Sequence, residues 1–213
     1  MRQEIRFLTQ AIYTPQLVKY LCERGECLEY KVNNFYLDNS TKQFSQTSSG
    51  SPRLRLRIYE AGELFFGNIE LKSVVSNQEK YTIKEFWNVT EYLDTITPLI
   101  PQLHQRSIVQ PSSSSVYNIL LPSLSSYSKN KLELGNTSLF SHLSYHRTSC
   151  NCGTFRITLD QKFSPCIVDN QDSILEFKGK YSKNIFDTLE TICDLRLLNS
   201  SKFALLFEAK KDE

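Results

Sequence analysis

The stretch Arg53-Leu54-Arg55-Leu56-Arg57-Ile58-Tyr59 decides the architecture. Residues two apart in a β-strand point to one face. The run therefore predicts a strand with three arginines on one side and Leu54, Leu56 and Ile58 on the other. The layout recurs. Glu4 and Arg6 alternate with Ile5 and Phe7, and Glu70 and Lys72 flank Leu71. Arg156, Thr158 and Asp160 alternate with Phe155, Ile157 and Leu159, and Glu176, Lys178 and Lys180 follow Leu175 and alternate with Phe177. Taken singly, each strand is equally well read as exposed, with a solvated basic face. Recurrence of Arg and Lys with a partnering Glu, where solvated faces carry Ser, Thr and Gln, favours apolar faces packed outward under helices and charged faces turned inward.

The rest of the chain fits that frame. Thr14-Pro15 reads as an N-cap with proline at the first helical position, and Leu17, Val18, Leu21 and Cys22 continue at helical spacing to Gly25, so residues 15–24 are expected to be a helix. Strands are expected over 2–9, 27–37, 53–60, 63–73 and from Lys80 through Lys84, with a hairpin turn at Ala61-Gly62. Further strands are expected near 116–121, 139–148, 154–160 and 173–180. Helices are expected over 86–100 and 184–198, and a last short element from Lys202 to Phe207. The polar segment 38–52 reads as a loop, with a flexible lip to the site as its functional alternative, and the Ser-rich segment 107–116 as a connection within one domain. The expectation is an α+β fold: an antiparallel closed β-barrel of about eight strands with three flanking helices, forming one domain over 1–213 with a frayed tail at 208–213.

Composition excludes little but narrows the field. A formal net charge of +2 gives no bulk signature of a nucleic-acid binder. A basic face for single strands would interleave aromatic residues with the cations, whereas here the apolar residues alternate onto the opposite face. No apolar run approaches the roughly 18 residues that cross a bilayer. The opening MRQEIRFLTQ has no apolar segment of a secretory signal. The six cysteines are scattered; Cys150 and Cys152 with Cys166 could form a zinc cluster, but the C-x-C spacing is not a usual zinc pair, and reduced, unpaired thiols are the favoured reading. Missing signals and unpaired thiols together point to the cytoplasm.

A lining of Arg and Lys suits a polyanion. The guanidinium group is a planar fork of donors that matches phosphate oxygens, and lysine adds a compact point charge. Like cations are costly to enclose without counter-charge. The carboxylates Glu4, Glu70 and Glu176 are too few to balance them, so a linear phosphate chain is the expected ligand. A hard divalent ion, Mn²⁺ or Mg²⁺, would use one or two of those carboxylates with phosphate oxygens. For Glu70, a cross-strand salt bridge with Arg57 is the equal alternative.

The order of these segments resembles the triphosphate tunnel folds, and most closely the polyphosphate polymerase domain of the vacuolar transporter chaperone (VTC) family. The family's opening R-Y-E-R-K-F is similar to Arg2-Gln3-Glu4-Ile5-Arg6-Phe7, with Arg6 where the family has a phosphate-binding lysine. Its R-x-R-x-Y matches Arg55 to Tyr59, its L-E-x-K matches Ile69-Glu70-Leu71-Lys72, and a following basic strand matches Lys80 to Lys84. Its Y-x-R appears as Tyr145-His146-Arg147, its R-x-T-x-D as Arg156 to Asp160, its second L-E-x-K as Leu175-Glu176-Phe177-Lys178, and its S-K-Y as Ser201-Lys202-Phe203. The resemblance runs from Arg2 to Phe203. His146 stands where the family has Glu, and is otherwise read as a polar surface residue.

The resemblance implies a divalent-metal-dependent phosphotransferase that moves the terminal phosphoryl group of ATP or another triphosphate onto a polyphosphate chain. It implies phosphate binding by Arg6, Arg55, Arg57, Lys72, Lys84, Arg147, Arg156, Lys178 and Lys202, with Arg55, Arg57, Lys72, Arg147, Lys178 and Lys202 carrying catalysis. Glu176 is the foremost metal ligand, with Glu4 and Glu70 as helpers or neutralising partners. A membrane protein that handles the product is the partner left open. Hydrolysis of tripolyphosphate or an organic triphosphate, and non-catalytic polyphosphate binding, are the rival readings.

Overall fold

A computed structural model describes residues 4–39, 41, 52–74, 82–100, 103, 126–179 and 183–209. The proposed lip at 38–52, apart from 38–39, 41 and Pro52, the Ser-rich connection, the strand near 116–121 and the tail from 210 lie outside the described residues. The elements are β1 (Glu4–Gln10), α1 (Thr14–Cys22), β2 (Glu26–Asn39), β3 (Arg53–Ala61), β4 (Leu64–Val74), β5 (Thr82–Asn88), α2 (Leu93–Ile96), β6 (Thr137–Asn151), β7 (Phe155–Ser164), β8 (Asp172–Gly179), α3 (Lys183–Ile192), β9 (Arg196–Leu197) and α4 (Lys202–Ala209). The class is α+β, with one nine-stranded sheet in the order β5-β4-β3-β2-β6-β7-β8-β1-β9.

The sheet is not the closed barrel expected. Its order has two ends, and among the described residues no pairing joins them. Each edge is occupied locally instead. Leu197 and Arg196 of β9 pair with Phe7 and Leu8 on the outer edge of β1. On β5, the Phe86 carbonyl accepts a hydrogen bond at 2.7 Å from the Ser128 N–H. Edge strands need such cover because their unpaired backbone groups template further pairing.

The chain packs as two compact units. One comprises residues up to Lys31 with those from Ser144 onward, and the other is Val32–Leu143. In the first, alternation on β7 and β8 turns Ile157, Leu159, Leu175 and Phe177 onto Leu17 and Leu21 of α1 and Leu189 of α3. In the second, Leu54, Leu56 and Ile58 of β3 pack with Phe35, Leu37, Ile69 and Trp87 under Val89, Ile96 and Ile100. The β3–β4 hairpin turns at Gly62, whose φ of +61° suits a residue without a side chain.

Three local expectations change. Thr14 lies inside α1 and makes no side-chain cap, because a 3-10 turn over Ala11–Tyr13 feeds the helix directly. The helix expected over 86–100 shrinks to Leu93–Ile96, since Phe86, Trp87 and Asn88 pair with Glu70, Ile69 and Asn68 of β4. The Trp87 indole also donates to the Asn130 carbonyl at 2.7 Å, and the Asn88 side chain accepts from the Thr90 N–H. The last long helix ends at Ile192, and the chain then pairs with β1 instead of continuing to Leu198.

The thiols also differ from expectation. Cys27 on β2 and Cys150 on β6 form a disulfide, their Cα atoms 4.0 Å apart on neighbouring strands. The two stand 123 residues apart in sequence, so only strand pairing brings them together. This removes one of the two supports for the cytoplasmic expectation. Among the described residues, no helix is long and apolar enough to cross a membrane.

Candidate functional site

Each unit carries one charged sheet face, opposite its apolar core. In the first unit, register sets the rows. Glu176 stands between Arg6 of β1 and Thr158 of β7, and the next row is Glu4, Lys178 and Arg156. On the other side Asp160 is paired with Arg147 of β6.

Two buried carboxylates organise this face. Arg147 grips Asp160 as a fork, Nε donating to Oδ1 at 2.6 Å and Nη2 to Oδ2 at 2.7 Å. Lys202, the first residue of α4, reaches Asp160 Oδ2 at 2.8 Å and Glu176 Oε2 at 3.1 Å. Arg6 Nε donates to the same Glu176 oxygen at 2.9 Å, and Lys178 pairs with Glu176 Oε1. Glu4, at the margin, pairs with Arg6 and lies 3.9 Å from Lys178.

Burial and charge compete for each proton here. Burial would raise the Asp160 and Glu176 carboxyls, but the cations outweigh it. Arg147 and Lys202 hold Asp160 below the usual carboxylate range, and Lys202, Lys178, Arg147 and Arg6 hold Glu176 well below it. The two lysines diverge. Burial brings Lys178 down to about 7 although Glu176 opposes the shift, with Arg147 adding to it. Lys202 is equally desolvated, yet Asp160 and Glu176 together carry it above its ordinary value.

The second unit has a simpler face. Across β3, β4 and β5 the rows are Arg53, Lys72 and Lys84, then Arg55, Glu70 and Phe86, then Arg57, Asn68 and Asn88. Arg55 donates to Glu70 Oε2 through Nη2 at 2.6 Å and Nε at 3.1 Å. Arg57 lies 3.9 Å from that oxygen and gives its Nε to Asn34 Oδ1 at 2.8 Å. Lys84 is 3.4 Å from Glu70 Oε1. Glu70 is therefore bridged chiefly by Arg55, its direct cross-strand neighbour, and the expected Arg57 pair is present as a longer contact at 3.9 Å. Its carboxyl is 1% exposed; burial raises its pKa, and Arg55, Arg57 and Lys84 overcome this and hold it far below the usual range. Burial lowers Lys84, with Glu70 opposing and Arg55 and Arg57 adding to the fall.

The expected site residues thus divide into two sets. Glu4, Arg6, Arg147, Arg156, Glu176, Lys178 and Lys202 share the first face, and Arg55, Arg57, Glu70, Lys72 and Lys84 the second. Their side chains are mostly part-buried: 21% exposed at Arg6, 17% at Arg55, 15% at Arg57 and 19% at Lys178. His146 is exposed, beside Gln161. Sequence reasoning missed Asp160 as the fourth carboxylate and Asn34 as the brace of Arg57. Asp160 carried a signal, since it alternates with Arg156 on one face; Asn34 carried none.

The carboxylates fit a divalent ion only in part. They are ionised, as ligation requires, but the oxygens of Glu176 and Glu70 already face cations. Glu4, 36% exposed, is the least enclosed. An ion would suit these residues when phosphate oxygens draw the arginines and lysines away and complete its shell.

No protein-family model and no curated protein sequence matches the chain. Solved structures do. An adenylyl cyclase candidate from Hippeastrum, described as having a dominant triphosphatase activity, is similar with a TM-score of 0.57 and 14% identity, over 98% of this chain and 96% of that one. A Pyrococcus horikoshii protein is similar with a TM-score of 0.55 and 11% identity, over 97% and 99%. An adenylate cyclase candidate from Bacillus halodurans is similar with a TM-score of 0.52 and 15% identity, over 97% and 98%. With nearly full coverage on both sides, the chain shares its fold with these three proteins.

Proposed function

We propose that this chain is an enzyme that binds the phosphate chain of ATP, another triphosphate or polyphosphate and moves its terminal phosphoryl group. The charged face of β3–β5 carries the reading. Arg53, Arg55, Arg57, Lys72 and Lys84 stand there with one carboxylate, Glu70, among the described residues. A phosphate chain supplies repeated negative charge and oxygens that match guanidinium forks. On the other face, Arg6, Arg156 and Lys178 serve as phosphate ligands, while Arg147 and Lys202 hold Asp160 and Glu176 in place.

Phosphoryl transfer needs positioning and charge stabilisation more than covalent help from the protein. Arginines braced by Glu70 and Asn34 meet that need, because their rotamers are set before the substrate arrives. Glu4 with Glu176 on the first face, or Glu70 on the second, would be the carboxylates to hold Mn²⁺ or Mg²⁺. When bound, such an ion neutralises charge on the phosphates.

Water as acceptor is favoured by the likeness to the Hippeastrum triphosphatase. Transfer to a polyphosphate chain is favoured by the ordered segments that resemble the VTC polymerase domain. Incubation with ATP or tripolyphosphate and Mn²⁺, with orthophosphate and polymer both measured, separates them. Orthophosphate alone identifies a hydrolase and long chains a polymerase. Tripolyphosphate binding without turnover reduces the reading to a binding module, and absence of both binding and turnover rejects it.

A further inference from the structure

Three of the six cysteines meet in the first unit, and a fourth lies beside the adjoining turn. Cys22 closes α1, Cys27 begins β2, Cys150 lies near the end of β6 and Cys152 follows it. The sulfurs of Cys22, Cys27 and Cys150 all lie within 4.8 Å of one another. Cys152 is beside the same turn: a side chain built at Gly25 would run into the Asn151 carbonyl and come within 3.1 Å of the Cys152 sulfur. The other two cysteines are elsewhere, Cys166 donating to the Val168 carbonyl and Cys193 to that of Leu189.

The Cys27–Cys150 disulfide accounts for two of these sulfurs and leaves the approach of Cys22 to both, and Cys152 beside the same turn, unexplained. The geometry points to a soft-metal site, with Cys22, Cys27, Cys150 and Cys152 as the thiolate ligands of one Zn²⁺ in the reduced chain. Zinc–sulfur bonds of about 2.3 Å set tetrahedral sulfurs about 3.8 Å apart, and the sulfurs of Cys22, Cys27 and Cys150 already lie within 4.8 Å of one another, with Cys152 as the fourth ligand from beside the same turn. The scaffold suits a structural site, since β2 and β6 are neighbouring strands and the α1–β2 turn, at Gly25, passes against the Asn151 carbonyl.

The chemistry balances in two steps. A thiol or phosphine reductant delivers two electrons to the Cys27–Cys150 bond, two protons are taken up, and both sulfurs are released as thiols. Zn²⁺ then replaces the four thiol protons, which leave to solvent. Disulfide and metal are therefore alternative states of one cluster, and neither touches the charged faces described above.

The test uses the full chain, reduced with a phosphine, desalted without air and titrated with Co²⁺. The expected result is the near-ultraviolet thiolate-to-cobalt charge-transfer band with the visible bands of a tetrahedral site, saturating at one metal per chain and bleached by Zn²⁺. Cys22 is exposed and Cys152 half-buried, so Cys22→Ser and Cys152→Ser should leave the fold intact and each remove the band, while Cys166→Ser keeps it. A reduced wild-type chain without the band, or one whose band survives in Cys22→Ser or Cys152→Ser, overturns the assignment.

Discussion

The two charged faces solve the same problem in opposite ways. The face of β1, β6, β7 and β8 with the start of α4 gathers Arg6, Arg147, Arg156, Lys178 and Lys202 around Glu4, Asp160 and Glu176. The face of β3–β5 gathers as many cations around Glu70 alone among the described residues. On the first, the fold supplies most of its own counter-charge, and Asp160 and Glu176 do so almost wholly buried. On the second, Glu70 is the one buried carboxylate among the described residues of those strands. The difference teaches that a count of basic residues does not identify a ligand site; the distribution of buried acids among them does.

The comparison breaks most directly at Asp160. Removing one partner of a buried ion pair leaves an uncompensated charge, which costs about 3–5 kcal/mol. Asp160→Ala strands Arg147 and part of Lys202, so its urea-unfolding free energy should fall by that amount. A loss under about 1 kcal/mol would mean that the Asp160 network contributes little to stability. Next in size is ligand stabilisation. Tripolyphosphate at a hundred times its dissociation constant should stabilise the chain by about 2.7 kcal/mol, read as a rise in Tm. No rise at saturation counts against both faces as anion sites.

Arg57→Ala sharpens the contrast further. Each charge-assisted hydrogen bond is worth about 1.5–3 kcal/mol, so tripolyphosphate affinity at fixed salt should drop at least tenfold. Its own stability cost should be smaller than that of Asp160→Ala, because Arg57 leans on neutral Asn34 and stands 3.9 Å from Glu70. Unchanged affinity would remove Arg57 from the phosphate site.

A pH effect separates the faces again. Burial lowers Lys178 to about 7 from its ordinary 10.5, so between those values the unfolded chain binds more protons than the folded one. Stability from this group therefore rises as pH climbs through that window, and its cost is complete below pH 7. Wild-type protein should gain more in urea midpoint between pH 7 and 9 than Lys178→Met; equal gains would remove Lys178 as the source. The carboxylates act in the opposite range. Asp160, Glu176 and Glu70 are held below their ordinary values, so their stabilisation is present above the unfolded carboxylate range and is lost as pH falls below it toward their depressed folded values. Smallest of all, His146→Ala should leave tripolyphosphate affinity within error, in keeping with its exposed position.

Alternation in five short runs determined a great deal. It assigned β1, β3, β4, β7 and β8, sorted their side chains into an apolar and a charged face, and marked Glu176, Glu70 and the cations as one class of residue. That was legible because a strand's period of two is a property of the backbone alone. Register was not legible, since it depends on which strands meet. Only tertiary structure chose Arg55 over Arg57 as the bridge to Glu70, set Arg147 on Asp160, and delivered Lys202 from α4 to two carboxylates. The same limit hid the union of Cys27 with Cys150 and the local cover that leaves the sheet open at both edges. Local pattern tells which way a side chain points; long-range pairing decides what it meets.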